Sequence, residues 1–344
     1  MVVSVAIEMD TPRSSDEAAQ LAERLAGVLA GRKQWKEPRV EGLARLSGGA
    51  SRDTWSLDVV DAQGRRHPLI LQRQRSLVVE AWLGSAVEAR LLEAARKTGV
   101  PTAGVLAWSD ASEELGLPYL LFERIEGETI PQRILRDERF ASARGVLARQ
   151  YGEALGRIQQ IDPAKVPGLA FQDPLDHYEE VLDELGEPSP ALAYGLRWLR
   201  RHRPPTGDRV VVHGDYRNGN GIVAPERGLC AVIDWELSHL GDPLEDLGWF
   251  CIRAWRFGSP LPVGGFGRYD EIIAGYEATS GRKVDRDVLQ WWQIMGTVRW
   301  AVICLMQGAT HWQGHRRSVE LAVTGRRAAE AEFDLMLQIP GESR

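Results

Sequence analysis

Two acids and an amide stand where one chemistry would use all three. Asp215 and Asn220 share the run Val212-His213-Gly214-Asp215-Tyr216-Arg217-Asn218-Gly219-Asn220, and Asp234 closes the apolar run Ala231-Val232-Ile233. A carboxylate at 215 can take the proton of a hydroxyl that attacks a phosphoryl group. A carboxamide oxygen and a second carboxylate suit a hard divalent cation such as Mg²⁺, which spreads the charge of a triphosphate. Each residue also has a plainer reading. Asp215 could be a turn residue capping its own loop, and Asn220 could form an Asn-Gly turn with Gly221. Neither explains why an acid follows at this distance on an apolar strand. Arg217 can steady phosphate charge, pair with Asp215, or be a surface residue. His213 reads as a packing and hydrogen-bonding group that stiffens the loop, not as a base. Gly214 allows torsions that a side chain would hinder.

A second segment fits the same chemistry. Ser47-Gly48-Gly49-Ala50-Ser51-Arg52 precedes an apolar alternating run. Small residues there let backbone N–H groups approach phosphate oxygens, and Ser51 or Arg52 can add direct contacts. By itself a Gly-Gly pair between strands is also a common hairpin turn.

Composition narrows the partners. The chain has 344 residues, 44% of them hydrophobic and 26% charged, enough for one large or two medium domains with a packed core. Its formal net charge of −6 argues against nucleic acid, whose phosphates call for a basic surface. The three cysteines, Cys230, Cys251 and Cys304, form no C-x-x-C pair and read as reduced thiols in a cytoplasmic protein. The apolar start is too short and lacks the basic residues of a secretory signal. No run is long and apolar enough to span a membrane, so no membrane partner is expected. Oligomeric state is left open.

The elements that must carry these residues follow from periodicity. Ser14 to Gly31 reads as an amphipathic helix on Leu21, Leu25 and Leu29, an N-terminal extension over residues 1–40. Residues 41–125 read as strands at 43–46, 54–60, 68–72, 105–108 and 119–123 with one helix over 78–98. Residues 126–344 turn mostly helical, with short strands at 210–212, 221–223 and 231–233 carrying the polar groups. The tryptophans Trp291, Trp292, Trp300 and Trp312 read as helix core, part of which could line an acceptor pocket. The Pro- and Gly-rich loop 258–267 is a candidate mobile segment.

The run His213-Gly214-Asp215-Tyr216-Arg217-Asn218-Gly219-Asn220, followed by Asp234-Trp235-Glu236 and Gly241-Asp242-Pro243-Leu244-Glu245-Asp246-Leu247-Gly248-Trp249, resembles the aminoglycoside phosphotransferase and choline kinase-like family. It looks most like the branch of kinase-like domains attached to some acyl-CoA dehydrogenases. The resemblance covers about residue 41 onward. It implies an α+β, protein-kinase-like two-lobe fold, with a small antiparallel β-sheet N-lobe and a larger, mainly helical C-lobe. It implies an ATP- and Mg²⁺-dependent phosphotransferase acting on a hydroxyl of a small molecule, with Asp215 and Arg217 catalytic and Asn220 and Asp234 on the metal. Asp242 and Asp246 look structural, a third metal ligand at Asp242 being conceivable. The nucleotide site would comprise Ser47, Gly48, Gly49, Ser51 and Arg52, the helix acid Glu88, and a hinge at Glu123 and Ile125 whose backbone meets adenine. The family's phosphate-positioning lysine falls at Gln72, with Arg73 next to it. Either Arg73 rotates in or Gln72 makes an uncharged contact, and Glu88 would then meet Gln72 by a hydrogen bond rather than an ion pair. That departure keeps a nucleotide-binding pseudokinase open. A metal-dependent phosphoesterase built on His213, Asp215, Asp234 and His239 is a third reading. The branch suggests a hydroxyacyl thioester as acceptor and the family name an aminoglycoside. The Arg- and His-rich stretch 308–327 leans away from polycationic antibiotics.

Overall fold

The computed structural model describes residues 15–32, 35–46, 52–74, 83–111, 113–186, 189–205 and 207–340. In chain order the first part comprises α1 (Ser15–Ala30), β1 (Arg39–Arg45), β2 (Arg52–Val60), β3 (Arg66–Gln74), α2 (Ser85–Lys97), β4 (Val105–Ser109) and β5 (Tyr119–Glu123). The five strands form one antiparallel sheet in the order β1-β2-β3-β5-β4.

Strand alternation gives this sheet two unlike faces. Trp55, Leu57, Leu69 and Leu71 point to one side and pack with Leu21, Leu25 and Leu29 of α1. Those leucines recur every four residues, so they form a single helical stripe that the sheet buries. The other face carries Arg52, Thr54, Ser56 and Gln72 and looks toward the rest of the chain. The helix expected over 78–98 begins at Ser85, after a Gly84 cap; residues 75–82 lie outside the description.

The second part is mainly helical: α3 (Pro131–Arg136), α4 (Ala141–Ile158), α5 (Pro174–Leu185), α6 (Pro190–Arg201), then β6 (Val210–Val212), β7 (Gly221–Ala224), β8 (Gly228–Val232) and β9 (His239–Gly241), and finally α7 (Glu245–Cys251), α8 (Tyr269–Ser280), α9 (Arg286–Trp312), α10 (Val319–Arg326) and α11 (Ala328–Gln338). Local chemistry starts and stops these helices. Asp173 caps α5 ahead of Pro174, and Gly186 ends it in the left-handed region. Asp285 caps α9 by accepting from the Asp287 and Val288 amides. The core runs through α4, α8 and α9, with Leu147, Leu155, Ile272, Tyr276 and Val298 fully buried.

Two short antiparallel pairs follow the first helices of this part: the hairpin of β7 with β8, and β6 with β9, which flank that hairpin in the chain. They position the polar motif. β9 escaped the sequence reading because it is three residues long and only its register on Val210–Val212 makes it a strand. No helix among the described residues is long and apolar enough to cross a membrane.

Candidate active site

The loop that follows β6 is held from below. His213 is fully buried. Its Nε2 lies 3.0 Å from the Ile233 carbonyl, and its Nδ1 lies 3.2 Å from the Asp215 amide. The first partner only accepts and the second only donates, which assigns the proton to Nε2 of a neutral ring. Burial accordingly pushes the imidazole down to about 4. Asp246, in the first turn of α7, accepts from the His213 amide at 2.7 Å and the Gly214 amide at 3.1 Å. Gly214 has φ +83°, and a Cβ there would lie 2.1 Å from the Leu237 carbonyl oxygen. A side chain cannot occupy that point, so glycine is required by both torsion and space. The structural role expected for His213 and Asp246 is what the bonds describe.

Above this base the Asp215 carboxylate is oriented by three donors. Trp249 Nε1 reaches Oδ1 at 2.9 Å, Arg217 Nε spans both oxygens at 3.0 and 3.1 Å, and Asn220 Nδ2 reaches Oδ2 at 2.6 Å. Arg217 therefore pairs with Asp215, one of the readings its sequence left open. Its guanidinium also stacks 4.6 Å from the Trp255 ring centre, which fixes its direction. Arg299 of α9 lies over the Trp249 ring at 4.3 Å and donates to the Gly214 carbonyl.

Asp234 arrives from the other pair. The Ile233 amide donates to the Asn220 carbonyl at 3.0 Å, so the two loops are tied at the point where their polar side chains emerge. Asp234 has φ +65°, a left-handed conformation uncommon for a side-chain-bearing residue. Its carboxyl is raised above the usual range, first by desolvation within the cleft and then by the Asp215 charge, with Arg217 and Arg52 offsetting part of this. Asp215, Asn220 and Asp234 are thus adjacent, as the sequence spacing suggests. Asp234 feels the Asp215 charge, and Asn220 stands on the loop tied to its own, so hard-oxygen side chains of the kind a divalent cation takes are brought to neighbouring loops.

The sheet side of the cleft differs from expectation at two positions. Glu88 of α2 does not meet Gln72. It is ion-paired with Arg52, Nη2 to Oε2 at 2.5 Å, and both residues are buried. Arg73 does not rotate into the cleft. It follows strand alternation to the opposite face, where Nη1 donates to the Leu115 carbonyl at 3.3 Å and the guanidinium lies 6.0 Å from the Trp55 ring centre. Gln72 faces the cleft and accepts from Arg52 Nη1 at 3.2 Å. Glu123 ends β5; its side chain accepts from the Gly104 amide at 3.0 Å and pairs with Arg96. Ile125 follows in the crossing segment, which Glu128 anchors to β7 through reciprocal bonds with Val223. Ser47, Gly48, Gly49 and Ser51 lie outside the described residues.

Beside Asp215 opens a cavity of about 550 Å³. Trp249, Arg299, His177, Tyr178, Trp292 and Met295 are among its walls. His239 and Glu245 also line it and pair with each other at 3.0 Å. Burial would lower His239, but the Glu245 charge and hydrogen bond outweigh it and hold the ring up at about 9. Sequence reasoning gave no role to Trp249, Arg299 or Glu245, and took His239 only as a metal ligand in the phosphoesterase reading. Trp249 stood in the quoted motif; Arg299 carried no local signal, because it lies mid-helix 85 residues from the loop it touches.

With this geometry in hand, the relatives can be placed. The chain belongs to the phosphotransferase enzyme family, whose profile matches residues 42–282. It is therefore a phosphotransferase, on an α+β protein-kinase-like fold. Mouse acyl-CoA dehydrogenase family member 10 is 28% identical over 231 residues, 64% of this chain but 21% of that protein. The chain thus spans about a fifth of that relative's length. A protein of Ralstonia eutropha JMP134 assigned as an aminoglycoside phosphotransferase superimposes with TM-score 0.73 at 21% identity, over 92% of this chain and 97% of that one. An amicoumacin kinase solved in complex with AMP-PNP, Ca²⁺ and Ami gives TM-score 0.58 at 14% identity, over 93% of this chain and 96% of that one.

Proposed function

We propose that the enzyme moves the γ-phosphate of ATP to a hydroxyl of a small, non-polycationic acceptor held beside Asp215. Residues 41–125 serve as the nucleotide lobe and 126–344 as the lobe for metal and acceptor. Asp215, fixed by Trp249, Arg217 and Asn220, receives the acceptor's hydroxyl proton and orients its oxygen for attack. Arg217 holds that carboxylate and adds positive charge near the transferring group. Asn220 and Asp234 are the residues to hold Mg²⁺, which when bound neutralises charge on the phosphates. In this reading the backbone at Glu123 and Ile125 meets the base, and Ser47, Gly48, Gly49 and Ser51 contact the phosphates.

The observation that carries this reading is the convergence of Asp215, Asn220 and Asp234 across two tied loops. The AMP-PNP and Ca²⁺ of the amicoumacin kinase lend support to a nucleotide and a divalent cation. The phosphoesterase alternative needs His213 as a metal ligand, and both its ring nitrogens are already engaged by the backbone.

The cavity walls support the acceptor class. Glu245 is their one carboxylate among the described residues, and His239 already pairs with it; Arg299 and His239 bring positive charge, and Trp249, Trp292 and Met295 bring apolar surface. An amino-sugar polycation finds little there to pair with. A neutral or anionic, partly apolar alcohol fits better, and a hydroxyacyl thioester is one such compound. The test is ATP consumption, with and without Mg²⁺, across amino sugars, neutral alcohols, hydroxy acids and hydroxyacyl thioesters. Turnover confined to the amino sugars, or turnover that persists unchanged when divalent cations are removed, contradicts the proposal.

A further inference from the structure

The strand-β3 position that a phosphate-binding lysine would fill holds Gln72, yet the cleft is not without a cation there. We infer that Arg52 on the neighbouring strand is the phosphate-positioning cation of this enzyme, and that the cation–glutamate pair that sets the nucleotide has moved one strand across the sheet. The inference rests on the phosphotransferase reading above.

Register makes the transfer possible. Thr54 of β2 lies opposite Gln72 of β3. Arg52, two residues before Thr54, shares its face, so it is the diagonal neighbour of Gln72 on the cleft side. A long side chain at that diagonal reaches the space in front of residue 72. The contacts place it there: Nη1 lies 3.2 Å from Gln72 Oε1.

The acid that would orient a cation at residue 72 orients Arg52 instead. Glu88 is 3% exposed, and Arg52 is its ion-pair partner. Arg52 Nε lies 3.2 Å from Glu236, two residues past Asp234. The guanidinium thus bridges α2, β3 and the metal-side loop, where a cation must sit to touch phosphates that a metal at Asp234 also touches.

Charge and donor count agree. An arginine offers five N–H groups in a planar fork. Nη1 donates to Gln72 and Nη2 to Glu88, while Nε lies at ion-pair distance from Glu236 without a hydrogen bond, so each terminal nitrogen keeps one N–H for a phosphate oxygen. Arg73 cannot compete, since it is sequestered on the other face of the sheet.

The test compares Mg²⁺-ATP with adenosine, because only the former has phosphates to lose. For R52Q we expect the affinity or kcat/KM for Mg²⁺-ATP to fall about a hundredfold, the scale of removing one charge-stabilising donor, while adenosine affinity is unchanged. A merely structural role for Arg52 would weaken both ligands together. Adding Q72K to R52Q returns a cation to β3 on the same face, beside Glu88, and should recover most of the loss. Should R52Q fail to fold with Glu88 and Glu236 left facing each other, the charge-restored R52Q/Q72K variant carries the test alone. The inference is overturned if R52Q keeps the wild-type preference for Mg²⁺-ATP over adenosine, or if R52Q/Q72K is folded and recovers nothing. A wild-type protein that binds no nucleotide overturns the proposed function as well; one that binds it, with R52Q indistinguishable, overturns this assignment only.

Discussion

Asn220 donates its side-chain amide twice to the same residue, to the Asp215 main-chain carbonyl at 2.9 Å and to the Asp215 carboxylate at 2.6 Å. The two bonds lock the loop on itself and use the amide nitrogen of Asn220, leaving its oxygen outside this pairing. One side chain thereby couples the orientation of the proton acceptor to the cation site. Replacing Asn220 with Asp separates the two jobs. The variant keeps an oxygen for the cation but cannot donate, and it sets a like charge against Asp215. We expect N220D to lose about a hundredfold in kcat while retaining metal-dependent nucleotide binding. D215A should likewise abolish transfer and keep nucleotide binding. Steady-state turnover alongside nucleotide titration reads both, and a wild-type kcat in either variant removes these roles.

Asp234 should separate the other way. Its carboxyl is raised above the ordinary range, and after desolvation the neighbouring Asp215 charge is the next cause. A cation that relieves that repulsion gains affinity from it. D234A is therefore expected to weaken Mg²⁺-nucleotide binding by at least about tenfold, on the scale of one lost charge-assisted contact, while metal-free nucleoside binding is unchanged. Titration calorimetry with and without Mg²⁺ measures this, and equal affinities for variant and wild type contradict it.

Gly214 tests the base of the loop. Its positive φ costs an alanine roughly 1–2 kcal/mol, and the overlap of the new Cβ with Leu237 must be relieved by moving backbone. Movement there strains the two amide bonds to Asp246 and the Arg299 contact. We expect G214A to lose about 3 kcal/mol of stability and nearly all activity. Denaturant unfolding together with kcat checks this; a variant of native stability would mean the turn has more slack than its neighbours allow.

What the sequence discloses about this site depends on how far apart its contacts lie along the chain. Asp215 and Asn220 share one loop, so their spacing alone brings them together. Asp234 follows a strand too short to lead elsewhere. Arg52 and Glu88 could not be matched in that way. Which β2 residue faces which β3 residue is set by hairpin register, and the pattern of residue types at 72 and 73 gives no sign that the cation stands a strand away. Trp249 and Arg299 reach the loop from 34 and 85 residues downstream, through the packing of α7 and α9, which no local pattern encodes. The fold followed more readily, since Leu21, Leu25 and Leu29 and the alternation of β2 state their buried faces directly. The start of β8 did not: the strand begins at Gly228, earlier than the apolar run at Ala231 suggests, because pairing with β7 extends it through Leu229 and Cys230.

The His239–Glu245 pair gives the acceptor cavity a pH dependence with a definite sign. His239 Nδ1 lies 2.9 Å from the Leu237 carbonyl and Nε2 lies 3.0 Å from Glu245. Both partners accept, so the ring must donate from both nitrogens, which only the imidazolium does. Its folded value of about 9 stands above the ordinary 6.5. The stabilisation is therefore complete below about pH 6.5 and is lost as pH rises through about 9. Unfolding free energy should fall by about 3 kcal/mol across that window, and H239Q should flatten this slope. The same proton changes the charge of the cavity wall. As it leaves, Glu245 loses its nearest counter-charge and the cavity wall becomes one unit more negative, so KM for an anionic acceptor should climb over the same interval while KM for a neutral one stays level. An anionic acceptor whose KM ignores pH between 7 and 10, or a histidine ring that NMR finds neutral at pH 7.5, would place its binding group away from this pair.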